Sequence, residues 1–145
     1  MDKRLLFLAV LVLASGLVYS FSSERISPSD HITQDHIRVY DDKIVIDVSN
    51  AHWATFTDTN SMDPVFDIES NTIEIKPKEV SQVNIGDIVS YHSTIYPGIV
   101  IHRVIDIGYD SDGWYAILKG DNNLFRDNER VRFSQVNGIV IAVLY

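Results

Sequence analysis

Apolar residues are spread unevenly along the chain. From Leu5 to Phe21 they form a run that no charge interrupts, and no later stretch matches it. From His36 onward, apolar and polar residues alternate instead. Ile37 and Val39 are followed by Ile44, Ile46 and Val48, with Asp41-Asp42 as a turn signal between them. A period of two marks strands with one half-buried face. Further strands are predicted over Trp53–Thr57, Thr72–Ile75, Asp87–Tyr91, Ile99–Ile107, Trp114–Leu118 and Gly138–Leu144, all rich in Ile, Val, Tyr and Trp. Gly86-Asp87, Pro97-Gly98, Asp112-Gly113, Gly120-Asp121 and Asn137-Gly138 read as the turns between them. The pattern predicts a mainly β protein, a compact antiparallel β domain preceded by one N-terminal transmembrane helix.

The apolar run holds 17 residues. At ~1.5 Å per residue a helix of that length spans ~25 Å, the short end for a bilayer core of ~30 Å. Lys3 and Arg4 precede it, which favours a cytoplasmic N-terminus and a single pass through the plasma membrane. The rest of the chain then lies on the extracellular or lumenal side. A cleaved signal peptide is the competing reading, with small residues such as Ser20 near the end of the run. The expected organisation is an anchor over residues 1–21, a polar linker over 22–35 containing Pro28, and a β domain over 36–145.

At 145 residues the chain has room for one globular domain. It has no cysteine, which excludes disulfides, thiolate metal sites and cysteine nucleophiles. The formal net charge is −8, with no basic stripe, so no nucleic-acid partner is expected. Asp110-Ser111-Asp112-Gly113 places its glycine too early for a calcium loop and reads as a hairpin turn. His31, His36, His52 and His92 lack zinc-site spacing and read mostly as surface or turn residues. No metal and no cofactor are expected.

Two residues stand out chemically. Ser61, in Thr57-Asp58-Thr59-Asn60-Ser61-Met62-Asp63-Pro64, lies where a strand runs into a turn, which suits an exposed hydroxyl. A serine becomes a nucleophile only with a base beside it. His102 sits in the apolar strand Ile99–Ile105, and imidazole exchanges protons near neutrality. Alternation turns Arg103 to the opposite face. Asp121 and Asp127, in the polar loop after Leu118, are both candidates for the acid that orients the imidazole. Spacing does not choose between them. Lys119 is a rival base, but Asp121 beside it favours its charged form.

Four motifs in order resemble those of the type I signal peptidases, in the form found in archaea and the endoplasmic reticulum. Ser61-Met62-Asp63-Pro64 resembles the nucleophile motif, and Gly86-Asp87-Ile88-Val89 the short motif that follows it. Ile101-His102-Arg103-Val104-Ile105 resembles the motif carrying the base, and Lys119-Gly120-Asp121-Asn122-Asn123 with Asp127 the final one. The resemblance covers about half the chain. Asn60 stands where the family usually has glycine, and about 40 residues separate Phe21 from Ser61, more than is usual there.

The resemblance implies a membrane-bound serine endopeptidase that cleaves exported preproteins after small residues. Ser61 is then the nucleophile, His102 the general base, Asp127 the triad acid and Asp121 a supporting polar residue. Thr59, through its hydroxyl, and Ser61, through its N–H, form the oxyanion hole. The expected partners are preproteins bound as extended peptides, membrane lipid around the N-terminal helix, and export-machinery proteins. Two rivals are a processing peptidase with a narrow substrate range and a non-catalytic anchored β domain that binds partners. The latter requires Ser61 and His102 to lie too far apart to hydrogen-bond. The self-cleaving repressors, which use lysine as base, are a weaker fourth option.

Overall fold

A computed structural model describes residues 26–145. The expected anchor over residues 1–21 lies outside them. Among the described residues, no helix is long and apolar enough to cross a membrane. The protein is mainly β, and every strand pairing is antiparallel.

A small hairpin comes first. β1 (Ile37–Val39) pairs with β2 (Ile44–Ile46), with Ile37 opposite Ile46 and Val39 opposite Ile44. The alternation that predicted these strands is real, but its apolar face is not covered: Val39 is 73% exposed and Ile44 66%.

The remaining strands form one seven-stranded sheet. They are β3 (Ala51–Thr55), β4 (Asn71–Ile75), β5 (Ile88–His92), β6 (Ile99–Asp110), β7 (Gly113–Lys119), β8 (Val131–Arg132) and β9 (Val136–Leu144). The order across the sheet is β3-β4-β9-β5-β6-β7-β8, which leaves β3 and β8 as edges. β9 returns from the end of the chain to lie between β4 and β5. The Asn137-Gly138 turn signal is therefore overridden, since both residues lie in this central strand. A Cβ on Gly138 would stand 2.5 Å from Glu74 Oε2 and 2.8 Å from His52 Cε1. Close approach rather than a turn accounts for that glycine.

β6 and β7 do meet in a hairpin at Asp110–Gly113, where Gly113 takes the left-handed φ of 98° that suits a residue without Cβ. Two-residue β8 had no sequence signal. It is fixed by pairing with β7 and by Arg132, which donates to both carboxylate oxygens of Asp110.

The larger core joins Val89, Tyr91, Val104, Ala116, Leu118, Val131 and Ile139, each at most 1% exposed. Burying a side chain such as Leu118 contributes ~1.5–3 kcal/mol. A smaller core holds Met62, Phe66, Ile88 and Val140, with Phe56 stacked on Phe66 at 4.6 Å.

Residues 26–31 do not stand clear of this body. Ser29 N–H donates to Asp87 Oδ1 at 2.8 Å, and His31 Nε2 meets Asp87 Oδ2 at 3.0 Å. Asp87 is wholly buried. Gly86, with a φ of 101°, has no side chain because the carbonyl of Ser27 would lie 2.2 Å from its Cβ.

Candidate active site

The segment between β3 and β4 is held from below. Met62 and Phe66 are buried in the smaller core, which pins the turn that begins at Ser61. Asn60 has a φ of 54°, a left-handed conformation that asparagine tolerates better than most residues. Loop 120–123 supports the turn from outside. Asn122 N–H donates to Ser61 O at 2.9 Å, and Asn122 Nδ2 to Asn60 O at 2.9 Å. Gly120 permits that contact, since a Cβ there would lie 2.6 Å from Ser61 O.

Ser61 Oγ bonds with Thr59 Oγ1 at 3.1 Å, and Ser61 N–H points at the same oxygen from 3.5 Å. The two groups expected to bind an oxyanion therefore face each other. No hydrogen bond joins Ser61 to His102 among the described residues.

His102 lies in β6 and is 7% exposed. Its Nδ1 meets Asp127 Oδ1 at 2.9 Å and Oδ2 at 2.8 Å. This bond fixes the proton on Nδ1 and leaves Nε2 as the basic nitrogen. Asp127 is positioned by its own N–H, which donates to Leu118 O at 2.8 Å, and by Tyr91, whose hydroxyl donates to Oδ2 at 2.9 Å. Burial, and then the negative charge of Asp127, push the Tyr91 phenol well above its usual range, so it stays a donor. Register explains the meeting: Val89 faces His102 and Tyr91 faces Val100, so Tyr91 and His102 share a face of the sheet.

The other face of β6 separates the two aspartates. Arg103 Nε donates to Asp121 Oδ1 at 2.8 Å and its NH2 to Oδ2 at 2.7 Å. Its NH1 donates to Gly86 O at 2.8 Å and to Ile26 O at 3.3 Å. The side chains of this pair are only 8% and 3% exposed. Asp127 is thus the carboxylate at the imidazole, while Asp121 belongs to a buried ion pair that ties loop 120–123 to β6 and Gly86.

Thr59, Ser61, His102 and Asp127 line one cleft of about 650 Å³, together with residues 52–57 along β3. Asp121 and Lys119 do not line it. The arrangement offers a hydroxyl, an imidazole oriented by a carboxylate, and an open strand edge on one surface. Sequence reasoning missed Tyr91, which carried no signal beyond its place in a strand. Two histidines read as surface residues also differ: His31 bonds Asp87, and His52 Nε2 bonds Glu74 Oε2 at 3.0 Å, both carboxylates being buried. Among the described residues, no group of three histidine, aspartate or glutamate side chains is placed to hold a metal ion.

Comparison with protein-family models, curated proteins and solved structures finds no match to this chain.

Proposed function

We propose that the chain is a membrane-anchored serine endopeptidase of the signal peptidase I type, cleaving exported preproteins after small residues. The observation that carries this is the His102–Asp127 pair at 2.8 Å, on the same cleft as Ser61 and Thr59. Ser61 Oγ attacks the scissile carbonyl carbon as its proton passes to His102 Nε2. Thr59 Oγ1 and Ser61 N–H turn from each other to the developing oxyanion. His102 then protonates the departing amine, leaving an acyl ester on Ser61. Water attacks that ester, giving a proton to His102, which returns it to Ser61 Oγ as the acid leaves. Substrate adds as an extended strand along the open edge of β3. Residues 1–21 anchor the chain in the plasma membrane with the β domain outside. The cycle requires the Ser61 hydroxyl to turn from Thr59 toward His102, a bond that commonly tightens only when substrate is bound.

A second reading is an anchored β domain that binds extended peptides without cutting them. It is favoured by the Ser61 hydroxyl pairing with Thr59 rather than with His102. One experiment separates the two: cleavage of a model preprotein by detergent-solubilised protein, beside Ser61→Ala and His102→Ala. Cleavage by the wild type that both variants lose supports the peptidase. Cleavage that persists in Ser61→Ala sinks it, and binding without cleavage leaves the second reading.

A further inference from the structure

A second histidine–carboxylate pair lines the same cleft. In the register of β3 and β4, His52 faces Glu74, so both side chains point to one side of the sheet. Glu74 is wholly buried. No lysine or arginine pairs with it among the described residues. Its partners are Thr72 Oγ1 at 3.3 Å, Ser90 Oγ and His52 Nε2 at 3.0 Å. Asn137 Nδ2 donates to Ser90 Oγ at 3.3 Å, which directs the Ser90 proton to the carboxylate. Two hydroxyls and an imidazole thus surround the Glu74 carboxyl group.

The pair is not a second nucleophilic site. Ser90 is 2% exposed and gives its proton to Glu74, not to an imidazole. The 3.0 Å bond to Glu74 is shorter than the 3.4 Å contact with Asn137, so the carboxyl group is the main partner of His52 Nε2. His52 Nδ1 has no hydrogen bond among the described residues, and no buried side-chain nitrogen there lacks one, so Nδ1 is not fully buried. The His52 side chain is 37% exposed, the only accessible member of the pair.

We propose that His52, backed by Glu74, is a specificity subsite for a cationic side chain, lysine or arginine, of the bound peptide. The chemistry matches: an imidazole on the cleft wall, hydrogen-bonded to a buried carboxylate that no lysine or arginine pairs with among the described residues. Lys76 and Lys78 border a second depression that His52 also lines, and both are exposed to water, where their charge is screened. Gly138 is part of the construction, because a Cβ there would strike both His52 and Glu74. The inference rests on the cleft being a peptide site, as proposed above.

The test is the affinity of full-length Ser61→Ala protein in detergent for fluorescent preprotein peptides. Lysine is placed in turn at each position flanking the scissile bond and compared with norleucine, its uncharged near-isostere. At one position lysine should bind roughly 10–100-fold more tightly, the worth of a charge-assisted hydrogen bond. Adding Glu74→Gln, or independently His52→Leu, should bring the ratio of lysine to norleucine affinity at that position close to one, whatever happens to overall peptide affinity. Equal affinities at every position overturn the subsite while leaving the peptide cleft standing. Failure of every peptide to bind overturns both.

Discussion

Asp127 holds His102 by Nδ1 at 2.8 Å across 25 positions of sequence, and it does so from a loop whose other aspartate serves Arg103. In the proposed mechanism the carboxylate both sets the tautomer and stabilises the imidazolium formed by proton transfer. Asp127→Asn is expected to lower kcat for preprotein cleavage by about 10⁴-fold with the fold intact. Steady-state kinetics alongside circular dichroism check this, and a loss under tenfold would remove Asp127 from the mechanism.

Thr59 contributes a hydroxyl and little packing. Thr59→Val keeps the shape and removes the donor, so kcat should fall about 10²–10³-fold with KM nearly unchanged. Thr59→Ser should retain most of the activity. Equal damage from both substitutions would point to packing instead.

Gly120 lies against the backbone of the turn that carries Ser61. In Gly120→Ala the new methyl would sit 2.6 Å from Ser61 O, and that carbonyl belongs to main chain that must shift to make room. A displacement of about 1 Å at a reacting group costs ~10²-fold in rate. Cleavage should therefore drop by that order, with a melting temperature lowered only modestly. Wild-type kinetics in this variant would show that loop 120–123 does not position Ser61.

The Arg103–Asp121 pair has a structural signature. Removing one partner strands a buried charge, at a cost of ~3–5 kcal/mol. Asp121→Ala is thus expected to destabilise the protein strongly in urea denaturation, whereas Asp127→Asn retains the size and most hydrogen bonds of its side chain and should do so far less. The reverse ranking would exchange the roles given to the two aspartates.

Asp110 is held below its ordinary pKa of 3.8 mainly by the hydrogen bond from Arg132, which outweighs the opposing effect of burial, with a lesser contribution from the hydrogen bond of Arg130. Its folded-state pKa lies below its unfolded one. The stabilisation is therefore fully present above about pH 4 and is lost as pH falls through the lower, folded-state value. Asp110→Asn should lower stability at neutral pH and flatten the acid side of the curve below about pH 4. Urea midpoints between about pH 7 and pH 2 measure both, and parallel curves for the two proteins would contradict the assignment.

Much of the sheet was legible because alternation survives wherever a strand has one covered face. β4, β5, β6, β7 and β9 each fall where their Ile, Val and Tyr residues placed them, within a few residues at the ends. β8 was invisible because two residues carry no period. Asn137-Gly138 misled because glycine serves a close approach as readily as a turn, and only the position of Glu74 and His52 tells which. The choice between Asp121 and Asp127 depends on the face of β6 that each reaches, which spacing in a loop does not encode. Tyr91 and the His52–Glu74 pair depend on strand order, since Glu74 and Ser90 lie on β4 and β5, separated by β9 from the chain's far end.

The contacts of residues 26–31 with Gly86, Asp87 and Arg103 bear on mechanics. A domain slung on a loose cord swivels, and its cleft samples every direction. Here the strap is fastened to the floor of the sheet, and Arg103, which grips Ile26, adjoins His102 in β6. In the anchored arrangement proposed above the strap would act as a bracket: chain added before residue 26 should alter reach, whereas breaking the His31–Asp87 or Arg103–Ile26 bond should alter aim.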